Sequence, residues 1–161
     1  MVDGGQSGGS RPICRRLSQA SFRIYRGKRG DAMMRTIKIY VPPGQPGPLL
    51  EFLPTLDEKL RRKLLQQIVR LSQIHLCDLK EPHFKHFVLE KYNQLYELRE
   101  KNKVLARIIF TIRDGDIILL APFIKRQPRD TMKALEQSLK MLADIRDAPE
   151  FAVNMKWEEY L

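Results

Sequence analysis

Polar and apolar positions alternate from Arg35 to Val41, with Ile37, Ile39 and Val41 apolar and Thr36, Lys38 and Tyr40 polar, the period of a strand with one buried face. The run PPGQPGP ends that pattern. The period then changes to a helical one: residues 49–53 suit a short helical turn, and residues 57–74 set Leu60, Leu64, Leu65, Ile68, Leu71 and Ile74 on one stripe, with Thr55 as candidate N-cap. These two helices are expected to form an antiparallel hairpin across a sheet. Residues 75–91 are mixed in character and broken by Pro82. Strands are predicted near residues 94–99, 105–113 and 116–124, the last two joined by Asp114-Gly115, a strong hairpin-turn signal. Beyond Pro128, residues 129–146 place Met132, Leu135, Leu139 and Leu142 at helical spacing, a helix that covers the sheet or an interface. The end, residues 151–161, offers Trp157, Tyr160 and Leu161 for packing on the domain or docking a partner.

The order strand, helices, strands, helix gives an α+β fold, and 161 residues allow one domain with a modest core. Residues 1–32 lie outside that domain. Their GGQSGGS, RPICRR and YRGKRGD stretches carry little periodic apolar content and cannot bury enough surface to offset the entropy of ordering, which predicts a disordered basic tail. Met33 and Met34 precede the first strand, and either is a candidate true start; a nucleic-acid-binding arm or an organellar targeting peptide are the functional readings of the tail. The expected organisation is a tail over residues 1–32, a domain over 33–147 and a C-terminal extension over 148–161.

Net charge adds a direction. The chain carries +10, of which the tail's seven cations and two acids supply +5, leaving +5 on the rest. Such an excess favours a polyphosphate partner, because neutralising phosphates releases condensed counterions. The alternatives are a plain basic protein or one whose charge an acidic partner masks. Cys14 and Cys77 show no CxxC or Cys/His ligand spacing, which argues against a structural disulfide or a zinc site. No apolar run approaches the ~18 residues of a membrane span, and no secretory apolar core opens the chain, so a cytoplasmic location is expected.

The segment LYELR followed by ARIIFTIRDGDIILLAPFIK punctuates strands with cations. Glu97 and Arg99 are two apart and share a face, Arg107 lies on the next strand, and Lys125 and Arg126 follow the third. Paired in sequence order, these strands bring the cations to one patch, unless each is a solvated edge or an ion-pair partner of Glu97. Arg and Lys without a carboxylate cluster do not suit a two-metal nuclease. They do suit metal-free RNA cleavage, in which the ribose 2′-OH is the nucleophile and the protein aligns it and stabilises charge on phosphate. No metal or other cofactor is implied. Guanidinium forks match phosphate oxygens, making Arg99, Arg107 and Lys125 candidate catalytic residues and Lys85, Arg126 and Arg129 candidate RNA contacts. His83 and His86 flank Lys85, and His86 is the candidate proton-transfer group because histidine titrates near neutral pH. No nucleophile elbow or glycine-rich phosphate loop is present.

The succession MRTIKIYVPP, EFLPTLDEKLRRKLLQQIVRL, a loop with Pro82 and Lys85, YELR, a strand-turn-strand and phenylalanine-x-lysine resembles toxins of the RelE/ParE superfamily, in particular the HigB-like, phage-related branch. The resemblance spans about residues 34–146. It implies a RelE-like domain, a small twisted antiparallel sheet against two N-terminal helices with a C-terminal helix. It also implies a cognate antitoxin, often a helix-turn-helix protein of the same operon. Many such relatives enter the ribosomal A site and cut mRNA without metal, leaving a cyclic phosphate and a 5′-hydroxyl; others poison DNA gyrase. Arg99 matches the arginine closing YELR, Arg107 the arginine that in the family follows a tyrosine, and Lys125 the lysine after the last strand. Ala106 stands in the tyrosine's place. The expectation is a type II toxin that cuts mRNA on the ribosome, against a non-catalytic basic module or a gyrase poison.

Overall fold

The computed structural model describes residues 35–156 and Glu159. The tail, Met33, Met34, Trp157, Tyr160 and Leu161 lie outside the described residues. The strands are β1 (Ile37–Tyr40), β2 (Phe84–His86), β3 (Leu95–Asn102), β4 (Val104–Arg113), β5 (Asp116–Lys125) and β6 (Ala152–Asn154), and the helices are α1 (Pro48–Phe52), α2 (Glu58–Leu71) and α3 (Pro128–Asp147). They form one sheet in the order β2-β3-β4-β5-β1-β6. Pairing is antiparallel throughout except that β1 runs parallel to β5, with Ile39 opposite Leu119. The expected α+β architecture is the one observed, and the C-terminal helix is in place. The Asp114-Gly115 turn holds both residues at positive φ, 54° and 85°, the mirror-image turn whose twist matches a hairpin.

Side chains on the two faces of the sheet build two cores. On one, Leu98, Ala106, Ile108, Phe110, Ile117 and Leu119 meet α1 and the α2 stripe of Leu60, Leu64, Leu65, Ile68 and Leu71. On the other, Leu95, Ile109, Ile118 and Leu120 meet Leu135, Leu142 and Ile145 of α3. Helices therefore cover both faces.

Local details depart from expectation for physical reasons. Asp57, not Thr55, caps α2: its carboxylate accepts from the Leu60 amide at 2.7 Å, while Thr55 donates to the Phe52 carbonyl. α1 has five residues and sits against β5, whereas α2 lies on β3, so the two do not make a long helical hairpin. Gly47 opens α1 at φ 95°, and a Cβ there would stand 2.8 Å from the Tyr40 carbonyl oxygen, so only glycine lets the helix start this close to the end of β1. The guanidinium of Arg35 donates to the Leu71 carbonyl at 2.9 Å, placing a cation at the negative end of α2. Cys77 is disulfide-bonded, which corrects the expectation drawn from cysteine spacing; Cys14 lies outside the described residues. Spacing along a chain detects only local ligand motifs. Residues 149–154, read as part of an extension, supply a 3-10 turn and β6, which pairs with β1 at the sheet edge.

Candidate nucleic-acid interface

Strand alternation and register together sort the candidate residues. Odd-numbered positions of β3 and β4 face the α3 side: Leu95, Glu97, Arg99 and Lys101 on β3, and Leu105, Arg107, Ile109 and Thr111 on β4. Across β3, β4 and β5 the register sets Arg99 opposite Arg107 and Arg107 opposite Phe123, and in the next row Lys101 opposite Leu105 and Leu105 opposite Lys125. On β2, Lys85 stands opposite Glu97 on the same face. α3 buries Leu95, Ile109, Ile118 and Leu120, and the two rows with Arg99 and Lys101 lie beyond this buried set. Lys85, Arg99, Lys101, Arg107 and Lys125 thus share one sheet face.

Glu97 organises its middle. Its side chain is 2% exposed and its Oε1 accepts from Arg99 Nε at 2.9 Å and Arg107 Nη1 at 3.3 Å. A lone buried carboxylate would be costly, and the arginines hold it; in return it fixes two like charges side by side. Arg99, 22% exposed, also approaches Glu81 at 3.8 Å. Arg107 is 11% exposed. Burial pushes its guanidinium below the ordinary value, opposed by the Glu97 carboxylate and assisted by Arg99. Arg107 Nε and Glu97 Oε2 have no hydrogen-bond partner among the described residues. With Glu97 between the two guanidiniums and Glu81 beside Arg99, the pair's charge is largely balanced, but both guanidiniums keep donors beyond those bound to Glu97, and the excess positive charge of this face comes from its lysines.

The other cations stand around this pair. The ammonium groups of Lys101 and Lys125 form no salt bridge among the described residues, although the Lys101 backbone amide donates to Glu100 at 3.3 Å. Lys85 Nζ lies 5.3 Å from the centroid of the Phe87 ring. Arg126 and Arg129 are exposed at the junction of β5 and α3, where Asp130 accepts from the backbone amides of Arg126 and Gln127 at 2.8 and 2.9 Å. Those amides, with Arg129 and Arg126 nearby, hold the Asp130 carboxyl below its ordinary value.

His86 is elsewhere. It faces Tyr96 across β2 and β3, stacks on that ring at 4.4 Å between centroids, and its Nε2 meets the Asn93 carbonyl at 2.7 Å. Tyr96 in turn stacks on Phe110 of the opposite core, so His86 lies on the far side of the sheet from Arg99 and Arg107. His83 is on that side too, 3.4 Å from Glu100. Two residues of the cationic face escaped the sequence reading. Lys101 lies two beyond Arg99, past the end of the strand that the alternation predicts, and Phe123 stands in the phenylalanine-x-lysine pattern without a charge to mark it.

Among the described residues no three His, Cys, Asp or Glu side chains gather to hold a metal ion, and no helix is long and apolar enough to cross a membrane. No curated protein and no solved structure matches the chain. A family model does: "Phage derived protein Gp49-like (DUF891)" matches residues 51–146, more than half of the chain, from α1 through the cationic strands to the last turn of α3. The chain therefore belongs to the Gp49-like family of phage-derived proteins, a toxin-like family of the RelE/toxin-antitoxin group.

Proposed function

We propose that the protein is the toxin of a type II toxin-antitoxin pair and that it cuts mRNA held on the ribosome, in the cytoplasm, using the substrate's own 2′-OH. The observation that carries this reading is the meeting of Arg99, Arg107 and Lys125 on one sheet face, beyond the area that α3 buries. In the reaction, the 2′-oxygen attacks the adjacent phosphorus and loses its proton, and the bond from phosphorus to the 5′-oxygen breaks. The 5′-oxygen takes up a proton, leaving a 2′,3′-cyclic phosphate and a 5′-hydroxyl. Arg107 and Arg99, set in place by Glu97, donate to the phosphate oxygens as charge builds on them, and Lys125 holds the neighbouring phosphate. Lys85, Arg126 and Arg129 steer the strand. His86, across the sheet, has no part in this chemistry, and proton transfer falls to solvent or to the ribosome.

The toxin-like family implies an antitoxin partner, here a helix-turn-helix protein encoded beside the toxin gene. Resemblance to the HigB-like branch and the phosphate-binding face both support RNA as target. Expression in a bacterial host, with and without the adjacent gene, tests the reading. Growth arrest relieved by that gene, with new 5′-hydroxyl ends inside coding sequences, is the expected result. Arrest with intact mRNA and stalled replication would move the assignment to a gyrase poison.

A further inference from the structure

We propose, resting on the reading of this face as an RNA-cutting site, that Phe123 is a stacking platform for one unpaired nucleobase of the substrate. Phe123 stands directly opposite Arg107 and two residues before Lys125, on the same face as both. Paired strand positions are about 5 Å apart and next-but-one positions about 7 Å, so the ring adjoins both cations. Phe123 packs against the core beneath α3, yet the residue keeps part of its surface exposed. Phe123 thus lies at the margin of the α3-side core, where its exposed part adjoins the cationic rows. Aromatic rings interleaved with cations are how proteins grip single strands: the cations hold the backbone and the ring takes the face of a base.

The substrate class follows. Bases within a duplex hide their faces in the stack, so this face takes a strand that is single and unstacked at the point of contact. With a phosphate on Arg107 and Lys125, a base attached beside it reaches the ring without rearrangement of the sheet.

The test uses the full chain, programmed ribosomes and mRNAs in which each nucleotide of the A-site codon in turn is replaced by a ribose-bearing abasic residue, which keeps the 2′-OH and removes the stacking face. One of the three replacements should slow cleavage by the wild-type protein by roughly ten-fold, the scale of one base stacked on an aromatic ring. Phe123→Leu should cut natural mRNA at about that reduced rate and lose nothing further on the abasic mRNA, whereas Phe123→Trp should keep the wild-type rate and the abasic penalty. Thermal melting checks that both variants fold. Independent, multiplying effects of Phe123→Leu and the abasic residue would overturn the stacking role while leaving the nuclease reading intact. No cleavage of natural mRNA by the wild type would overturn both.

Discussion

Arg107 Nη1 lies 3.3 Å from Glu97 Oε1, and the same oxygen accepts from Arg99 Nε at 2.9 Å, so one buried carboxylate holds two guanidiniums together on neighbouring strands. This makes Arg107 both a candidate phosphate ligand and a partner of a buried charge. Arg107→Ala should lower cleavage by about 10²–10³-fold, as for loss of one donor to a developing oxyanion. It should also destabilise the fold by about 1–3 kcal/mol, because Glu97 keeps only Arg99. Arg107→Lys separates the two: it keeps the charge, loses the fork, and should lose activity with a smaller change in denaturant midpoint. Full activity in folded Arg107→Lys and Arg107→Ala would remove Arg107 from the site.

Glu97→Gln should act through geometry. The amide offers one oxygen in place of a charge, so the arginines repel without a bridge; stability should fall by about 1–3 kcal/mol and cleavage should drop although Glu97 touches no substrate. Double-mutant analysis of Glu97→Gln with Arg107→Ala should give losses far from additive. Additive losses would show that the pair does not work as a unit.

His86→Ala should cost only the Tyr96 stack and the contact with the Asn93 carbonyl, about 1–2 kcal/mol of stability. Its cleavage rate should match the wild type. A loss of about 10²–10⁴-fold, the scale of general acid-base catalysis, would place His86 in the reaction after all.

At the opposite end of the sheet, Tyr40 donates to Asp144 of α3 at 2.7 Å, and its phenol is pushed up from 10.0 to about 12, chiefly by burial and then by the hydrogen bond and charge of Asp144. The folded state therefore holds this proton more tightly than the unfolded chain. The contribution is complete below pH 10 and is lost as pH rises from about 10 to about 12. Tyr40→Phe should flatten that part of the stability profile, as read from denaturant midpoints across the alkaline range. An unchanged slope would show that Tyr40 does not titrate this way.

Much of the architecture was legible because it repeats. The β4-β5 hairpin was plain from Asp114-Gly115 between alternating runs, and the α2 stripe from Leu60 to Leu71, since both periods persist over many residues. Three-residue strands carry no period: β2 resembles a loop and β6 a terminal extension, and nothing local shows that β1 pairs in parallel with β5, 80 positions on by the register of Ile37 with Ile117 and Ile39 with Leu119. The site divided the same way. Arg99 and Arg107 could be set on one face from strand parity and a short hairpin, and Glu97 was visible as their partner. His86 could not be placed, because its face depends on the register of β2 against β3, which only the folded chain fixes. A residue two away from a correct candidate is on the same face; a residue one away is on the other, and His86 adjoins Lys85.

Substrate-assisted attack by the 2′-OH is tested by adding purified protein to ribosomes programmed with mRNA bearing a single 2′-deoxy nucleotide at the mapped cut position. The expected result is cleavage of the all-ribose message to a 5′ fragment ending in a 2′,3′-cyclic phosphate or its 3′-phosphate hydrolysis product, and no cleavage at the deoxy position. Cleavage that continues past the deoxy substitution at an undiminished rate would contradict it.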